Sequence, residues 1–128
     1  MTQSQPQPVL VVISDLLFRS KIDDAARRAG VPLRVAKSVE QLDRHLASAT
    51  PAVMLIDLEM EGLDTAAMLA RLRAVPSAAT VPVIGFAGHT NVSVIHAARA
   101  DGVQVMARSA FVAQLPAMME RIAAHARG

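Results

Sequence analysis

Five short apolar runs, each followed by a segment with helical periodicity, limit how this 128-residue chain can fold. Three of the runs are almost wholly apolar, as strands covered by helices on both faces must be. The other two carry Arg34, Lys37 and Gln104 among apolar residues, which favours the edges of a sheet. Strands are therefore predicted over residues 8–13, 33–37, 52–56, 81–86 and 103–107, with the first, third and fourth at the centre.

Amphipathic helices with recognisable ends are predicted after each of these strands. The first carries an apolar stripe that stops at Gly30, a C-cap residue. The second begins at Ser38 with Gln41 three residues on, which is a capping-box pattern. The other three are predicted to begin after Asp64, at Asn91 and near Pro116.

This alternation predicts a flavodoxin-like (βα)5 three-layer sandwich in the α/β class, with a parallel five-stranded sheet in the order 2-1-3-4-5. We expect residues 1–8, rich in Gln and Pro, to form a flexible lead, and residues 9–128 to form one domain. In such sheets, ligands gather beyond the carboxyl ends of the strands. The side chains predicted at those ends are Ser14, Asp15, Asp57, Ala87, His89 and Arg108.

The composition narrows the classes of function. Cysteine is absent, so disulfides and thiol catalysis are excluded. The formal net charge of only +2 does not favour binding to nucleic acid. No apolar run approaches the ~18 residues of a membrane span, and residues 1–8 lack the parts of a signal peptide, so we expect a cytoplasmic protein without membrane contact.

The segment from Pro51 to Asp64 resembles the third-strand region of CheY-like receiver domains, the phosphorylated modules of response regulators. That resemblance extends from Val9 to Ala126 and implies that Asp57 occupies the phosphoacceptor position. Receivers have two adjacent acidic residues after the first strand, which help to hold Mg²⁺. In the best register, Ile13 and Ser14 take those positions here, and Asp15 comes one residue later.

The later strands resemble receiver strands but lack their functional side chains. Ala87 stands where receivers have a Thr or Ser hydroxyl, and Arg108 and Ser109 replace a Lys and a cis-forming Pro. Val105 stands where receivers have an aromatic residue that switches rotamer. Phosphoryl transfer needs Mg²⁺ and fixed positive donors, and a single carboxylate holds Mg²⁺ poorly. We therefore expect weak or absent Mg²⁺ binding and no other cofactor.

These departures predict a stand-alone degenerate receiver that is not an enzyme and acts through contacts with an unidentified signalling protein, as a monomer or weak homodimer. Asp57 is then a residual carboxylate paired with Arg108, a permanent cation with forked donors. Two alternatives stay open. One is a working phosphorelay receiver with Asp57 as acceptor. The other is a site for a small anionic ligand, bound or turned over by His89, Asp57 and Arg108; His89 is otherwise an ordinary loop histidine.

Overall fold

The computed structural model describes residues 6–127, and the predicted alternation of strands and helices runs through them. The strands are β1 (Val9–Val12), β2 (Leu33–Val35), β3 (Val53–Asp57), β4 (Val83–Ala87) and β5 (Gln104–Ala107). The helices are α1 (Leu16–Ala29), α2 (Val39–Ser48), α3 (Thr65–Ala74), α4 (Val92–Ala100) and α5 (Arg108–Arg127). Residues 1–5, most of the predicted flexible lead, lie outside the described residues.

The strands form one parallel sheet in the order β2-β1-β3-β4-β5, which confirms the predicted topology. Every residue of β1 and β3 is buried, as expected for central strands with helices on both faces. The edge strand β2 is short, and its middle residue, Arg34, is exposed. A short, charged edge strand discourages pairing with another chain.

Each face of the sheet has its own apolar core, because successive side chains of a strand point to opposite faces. Val9 and Val11 of β1 pack into the core shared with α1 and α5. Leu10 and Val12 pack into the core shared with α2, α3 and α4. The sheet is therefore covered on both faces, and polar side chains can gather at the ends of its strands.

The predicted helix caps of α1, α2 and α3 are present. The Asp15 carboxylate accepts hydrogen bonds from the backbone N–H groups of Leu17 and Phe18 at 3.0 and 3.1 Å. Gly30 ends α1 with φ +74°, a left-handed conformation that favours glycine. Ser38 and Asp64 accept from the third residue after each, so both act as N-caps.

The predicted start of the fifth helix near Pro116 is wrong, because α5 begins at Arg108, directly after β5. The added turns bury Phe111 and Leu115 in the α1/α5 core. This burial favours the helix even though no N-cap residue precedes it. Pro116 lies within the helix on its exposed side. Met118 and Met119 belong to the same core.

Among the described residues, no helix is both long enough and apolar enough to cross a membrane.

Candidate functional site

Three of the predicted site residues lie together at the carboxyl ends of β3, β4 and β5. Asp57 ends β3 and lies opposite Phe86, and Ala87 ends β4 opposite Ala107. Arg108 follows β5 directly, as the first residue of α5. Residues far apart in the chain therefore meet because parallel strands end together.

Asp57 is the one buried polar or charged residue among those whose side chains are described, with only 5% of its surface exposed. Its Oδ1 accepts a hydrogen bond from the Glu59 backbone N–H at 2.9 Å. Burial raises the pKa of the Asp57 carboxyl above its usual value, and the Glu59 N–H and the Arg108 charge oppose that rise only in part. Ionising Asp57 therefore costs more free energy in the folded chain than in the unfolded chain.

The Arg108 guanidinium lies between two carboxylates. Its Nη2 is 3.5 Å from Oδ1 of Asp57 and 3.3 Å from Oε1 of Glu59. The expected pair of Asp57 and Arg108 is thus in contact, and Glu59 makes it a group of three charged side chains. Since the side chain of Arg108 is 38% exposed, solvent weakens these attractions without removing them.

The three phenylalanines of the chain form a stack beneath this arginine. The ring of Phe86 lies 4.6 Å from the rings of Phe18 and Phe111, measured between centroids. The guanidinium carbon of Arg108 is 5.5 Å from the centroids of both Phe18 and Phe86. Cation–π attraction and the rigid rings therefore hold the guanidinium at the mouth of the cleft.

Glu59 was not singled out from the sequence, yet its carboxylate has the most partners in this cleft. Oε1 accepts from the backbone N–H of Gly88 at 2.8 Å and from Nη2 of Arg108 at 3.3 Å. Oε2 accepts from Nδ2 of Asn91 at 3.0 Å. The Asn91 bond, then the Gly88 bond and the Arg108 contact, lower the pKa of Glu59, so its ionised form is favoured.

Solved structures that are similar to this chain include signal receiver domains. The receiver domain of nitrogen regulatory protein C is 26% identical, with a TM-score of 0.72, over 94% of this chain and 97% of that one. The receiver domain of a Syntrophus aciditrophicus histidine kinase is 16% identical, with a TM-score of 0.74, over 93% and 91% of the two chains. That of a Pseudomonas aeruginosa sensor histidine kinase, with magnesium in its active-site cleft, is 18% identical, with a TM-score of 0.74, over 92% and 98%.

This chain has the receiver-domain fold. The predicted resemblance to CheY-like receiver domains is thereby confirmed for the fold. The chain matches no protein-family model and no curated protein.

The strand-end cleft of this receiver fold does not offer Mg²⁺ a suitable set of ligands. Ile13, at one position of the expected acidic pair, is fully buried and apolar, and Ser14 at the other is exposed. Asp57 faces a guanidinium, which repels a cation. Among the described residues, no three His, Asp or Glu side chains are grouped to hold a metal ion. Mg²⁺ takes several oxygen ligands in near-octahedral geometry, so this donor set does not fit it.

Among the described residues, Asp15, Ala87 and His89 make no polar side-chain contact with Asp57 or Arg108. Asp15 is exposed and caps α1, although its charge is near enough to help raise the pKa of Asp57. Ala87 is buried and offers no hydroxyl, so the backbone N–H of Gly88 is the donor at this point. His89 is exposed and lines a separate groove of about 350 Å³ with His96 and Arg99, away from the partners of Asp57. Asp57, Glu59 and Arg108 do not line this groove.

A weak signal for Glu59 was present in the sequence. Glu59 lies two residues beyond the strand-end Asp57, in the turn that must cross the same edge of the sheet. Arg108 has five N–H donors, more than one carboxylate can accept, so it has room for a second acceptor such as Glu59. The contacts with Gly88 and Asn91 had no such signal, because they depend on how two loops approach each other.

Proposed function

We propose that this chain is a degenerate receiver domain that works in cytoplasmic two-component signalling through contacts with a protein partner, without the standard Mg²⁺-dependent phosphorylation. One observation carries the proposal: the cationic donor of the cleft, Arg108, already contacts both Asp57 and Glu59. A phosphoryl group on Asp57 would compete with the Glu59 carboxylate for the donors of the same guanidinium and for the Gly88 N–H. The poor ligand set for Mg²⁺ supports the same conclusion.

The test is phosphorylation in vitro. We expect no mass gain of one phosphoryl group when the purified domain is incubated with a small acyl phosphate and Mg²⁺, and no saturable amide shifts with beryllofluoride and Mg²⁺. An active receiver domain treated in parallel verifies the reagents. A phosphoryl adduct that the Asp57→Asn variant fails to form would overturn the proposal and establish the phosphorelay alternative.

Exposed apolar residues at the same edge of the sheet support a role in protein contact. Among the described residues, the exposed large hydrophobic side chains are those of Leu16, Leu17 and Val92, with 70%, 75% and 57% exposed. Leu16 and Leu17 begin α1 and Val92 begins α4, so all three border the strand-end cleft. Contiguous exposed apolar surface marks sites of protein contact, and we take the adjacent Leu16 and Leu17 as part of such a surface.

A photo-reactive amino acid placed at Leu17 tests this contact in the producing cell. We expect one predominant cross-linked protein, identified by mass spectrometry as a signalling protein. The matched control is the same amino acid at Arg28, whose side chain is 80% exposed at the other end of α1. Equal cross-linking at both positions, or a product that is only a second copy of this chain, would count against a signalling partner at this edge.

A further inference from the structure

The groups around Glu59 form a small anion-binding site. Three donors from separate parts of the chain point at one carboxylate: the Gly88 N–H, the Asn91 amide and the Arg108 guanidinium. We propose that these donors constitute an oxyanion site, suited to a tetrahedral anion such as phosphate, which the chain fills with its own Glu59 carboxylate. The inference rests on the proposed function in one respect, namely that the cleft is not a working phosphorylation centre.

The carboxylate comes from a distant part of the chain. Glu59 is separated from its three partners by 29, 32 and 49 residues, so none of these contacts is a by-product of one helix or turn. Its own backbone N–H is fixed by the buried Asp57 carboxylate at 2.9 Å. The side chain is therefore directed across the cleft from an anchored turn.

The side chain of Asn91 bonds to Glu59 instead of capping its own helix. Asn91 occupies the N-cap position of α4, where an Asn side chain commonly accepts hydrogen bonds from the first turn of its helix. Here its side chain makes no such cap bond, and its Nδ2 donates to Oε2 of Glu59 instead. Helix α4 therefore lacks a side-chain N-cap bond, and the Glu59 carboxylate has one more donor.

Two of the three donors are positioned by groups other than Glu59. Arg108 is held over the rings of Phe18 and Phe86, and the Gly88 N–H belongs to the backbone just beyond β4. Without the Glu59 carboxylate, Arg108 would keep its aromatic support and its contact with Asp57, and the donors that Glu59 now occupies would be open to an external anion. Fixed charged and backbone donors are the groups with which proteins bind oxyanions.

The experiment compares phosphate binding by the intact chain and by the Glu59→Ala variant, with no Mg²⁺ and no phosphodonor. Inorganic phosphate is titrated while the backbone amide shifts of Gly88 and Asn91 are followed. We expect Glu59→Ala to bind phosphate at least about ten-fold more tightly than the unaltered chain, because the internal competitor is gone. Glu59→Gln, which keeps the shape and loses the charge, is expected to gain less.

Two further variants make the result specific. Glu61→Ala removes an exposed carboxylate from the same turn and is expected to leave phosphate affinity unchanged. Adding Asn91→Ala to Glu59→Ala is expected to reverse part of the gain. The inference is overturned if both Glu59 variants bind phosphate no better than the unaltered chain, or if Glu61→Ala gains as much. Because no phosphoryl transfer is measured, such a failure is distinct from phosphorylation of Asp57, which would overturn the proposed function.

Discussion

The buried carboxylate of Asp57 has a higher pKa in the folded chain than in the unfolded chain, with burial as the main cause. The folded state therefore favours the protonated form. The stability contributed by this preference is present at low pH and is lost as the pH rises through the folded pKa. Near neutral pH, the ionised Asp57 consequently lowers the free energy of unfolding, even with Arg108 beside it.

Replacing Asp57 by Asn should therefore stabilise the domain near neutral pH, by on the order of 1 kcal/mol. The Asn Oδ1 can still accept from the Glu59 N–H, and Arg108 keeps its Glu59 partner. Urea unfolding at a series of pH values measures the effect, and the gain should disappear in acid, where Asp57 itself becomes protonated. Asp101→Asn, at an exposed aspartate, is the control and should change little. Destabilisation by Asp57→Asn at neutral pH would show that the ion pair outweighs the burial cost.

The two site residues differ in how far the sequence could predict them. Asp57 ends an apolar strand, and this position alone places it at the edge where ligands gather. Glu59 gains its role from Gly88 and Asn91, which approach it only once β3 and β4 are paired. Sequence spacing describes a strand or helix well and does not describe the approach of one loop to another.

The fifth helix contains a proline, which is an unfavourable residue inside a helix. Pro116 lies within α5, where it cannot donate the hydrogen bond that a helix expects from this position, and its ring crowds the preceding turn. The helix persists because Phe111 and Leu115 before the proline, and Met119 after it, are buried in one core. Tertiary packing therefore outweighs the preference of proline for the first turn of a helix.

Substituting Pro116 by Ala is expected to raise the free energy of unfolding by about 1–2 kcal/mol. The intrinsic helix penalty of proline is about 3 kcal/mol, and part of the gain is offset because proline also restricts the unfolded chain. Thermal unfolding followed by far-ultraviolet circular dichroism measures the change. Pro82→Ala is the matched control, since Pro82 is exposed and precedes β4 outside any helix. A loss of stability at Pro116 would indicate that the proline is needed where it lies.

Elements with both an apolar pattern and a cap signal were predicted closely, whereas α5 had the pattern without the signal. Asp15, Ser38 and Asp64 all precede helices and all cap them. Arg108 begins α5 without such a residue before it, so the only local cue was the proline eight positions on. A start defined by long-range burial cannot be located from neighbouring residues alone.

In the whole molecule, the Glu59 carboxylate connects three regions that the sheet only brings near one another. It joins the turn after β3 to the β4–α4 loop and to the first residue of α5. These regions carry the polar groups of the strand-end cleft. Because the ionised Glu59 side chain bonds to the other two regions, the three regions have fewer possible arrangements than they would have without these bonds.

Hydrogen exchange should register this connection. In Glu59→Ala, the amides of Gly88 and of the first turn of α4 are expected to exchange about ten-fold faster, which corresponds to the loss of roughly one net hydrogen bond. The amides of the central strand β1 should be unchanged, because no contact of Glu59 reaches them. Glu61→Ala serves as the control. Uniform acceleration over all strands would instead indicate global destabilisation.

The stack of Phe18, Phe86 and Phe111 has a practical consequence for optical spectroscopy. The chain contains no Trp and no Tyr, so these three rings are its only aromatic chromophores. Its near-ultraviolet dichroism therefore reports on the packing directly beneath Arg108. In a mixture with any tryptophan-containing protein, the long-wavelength emission comes entirely from that protein, so complex formation can be followed without a label.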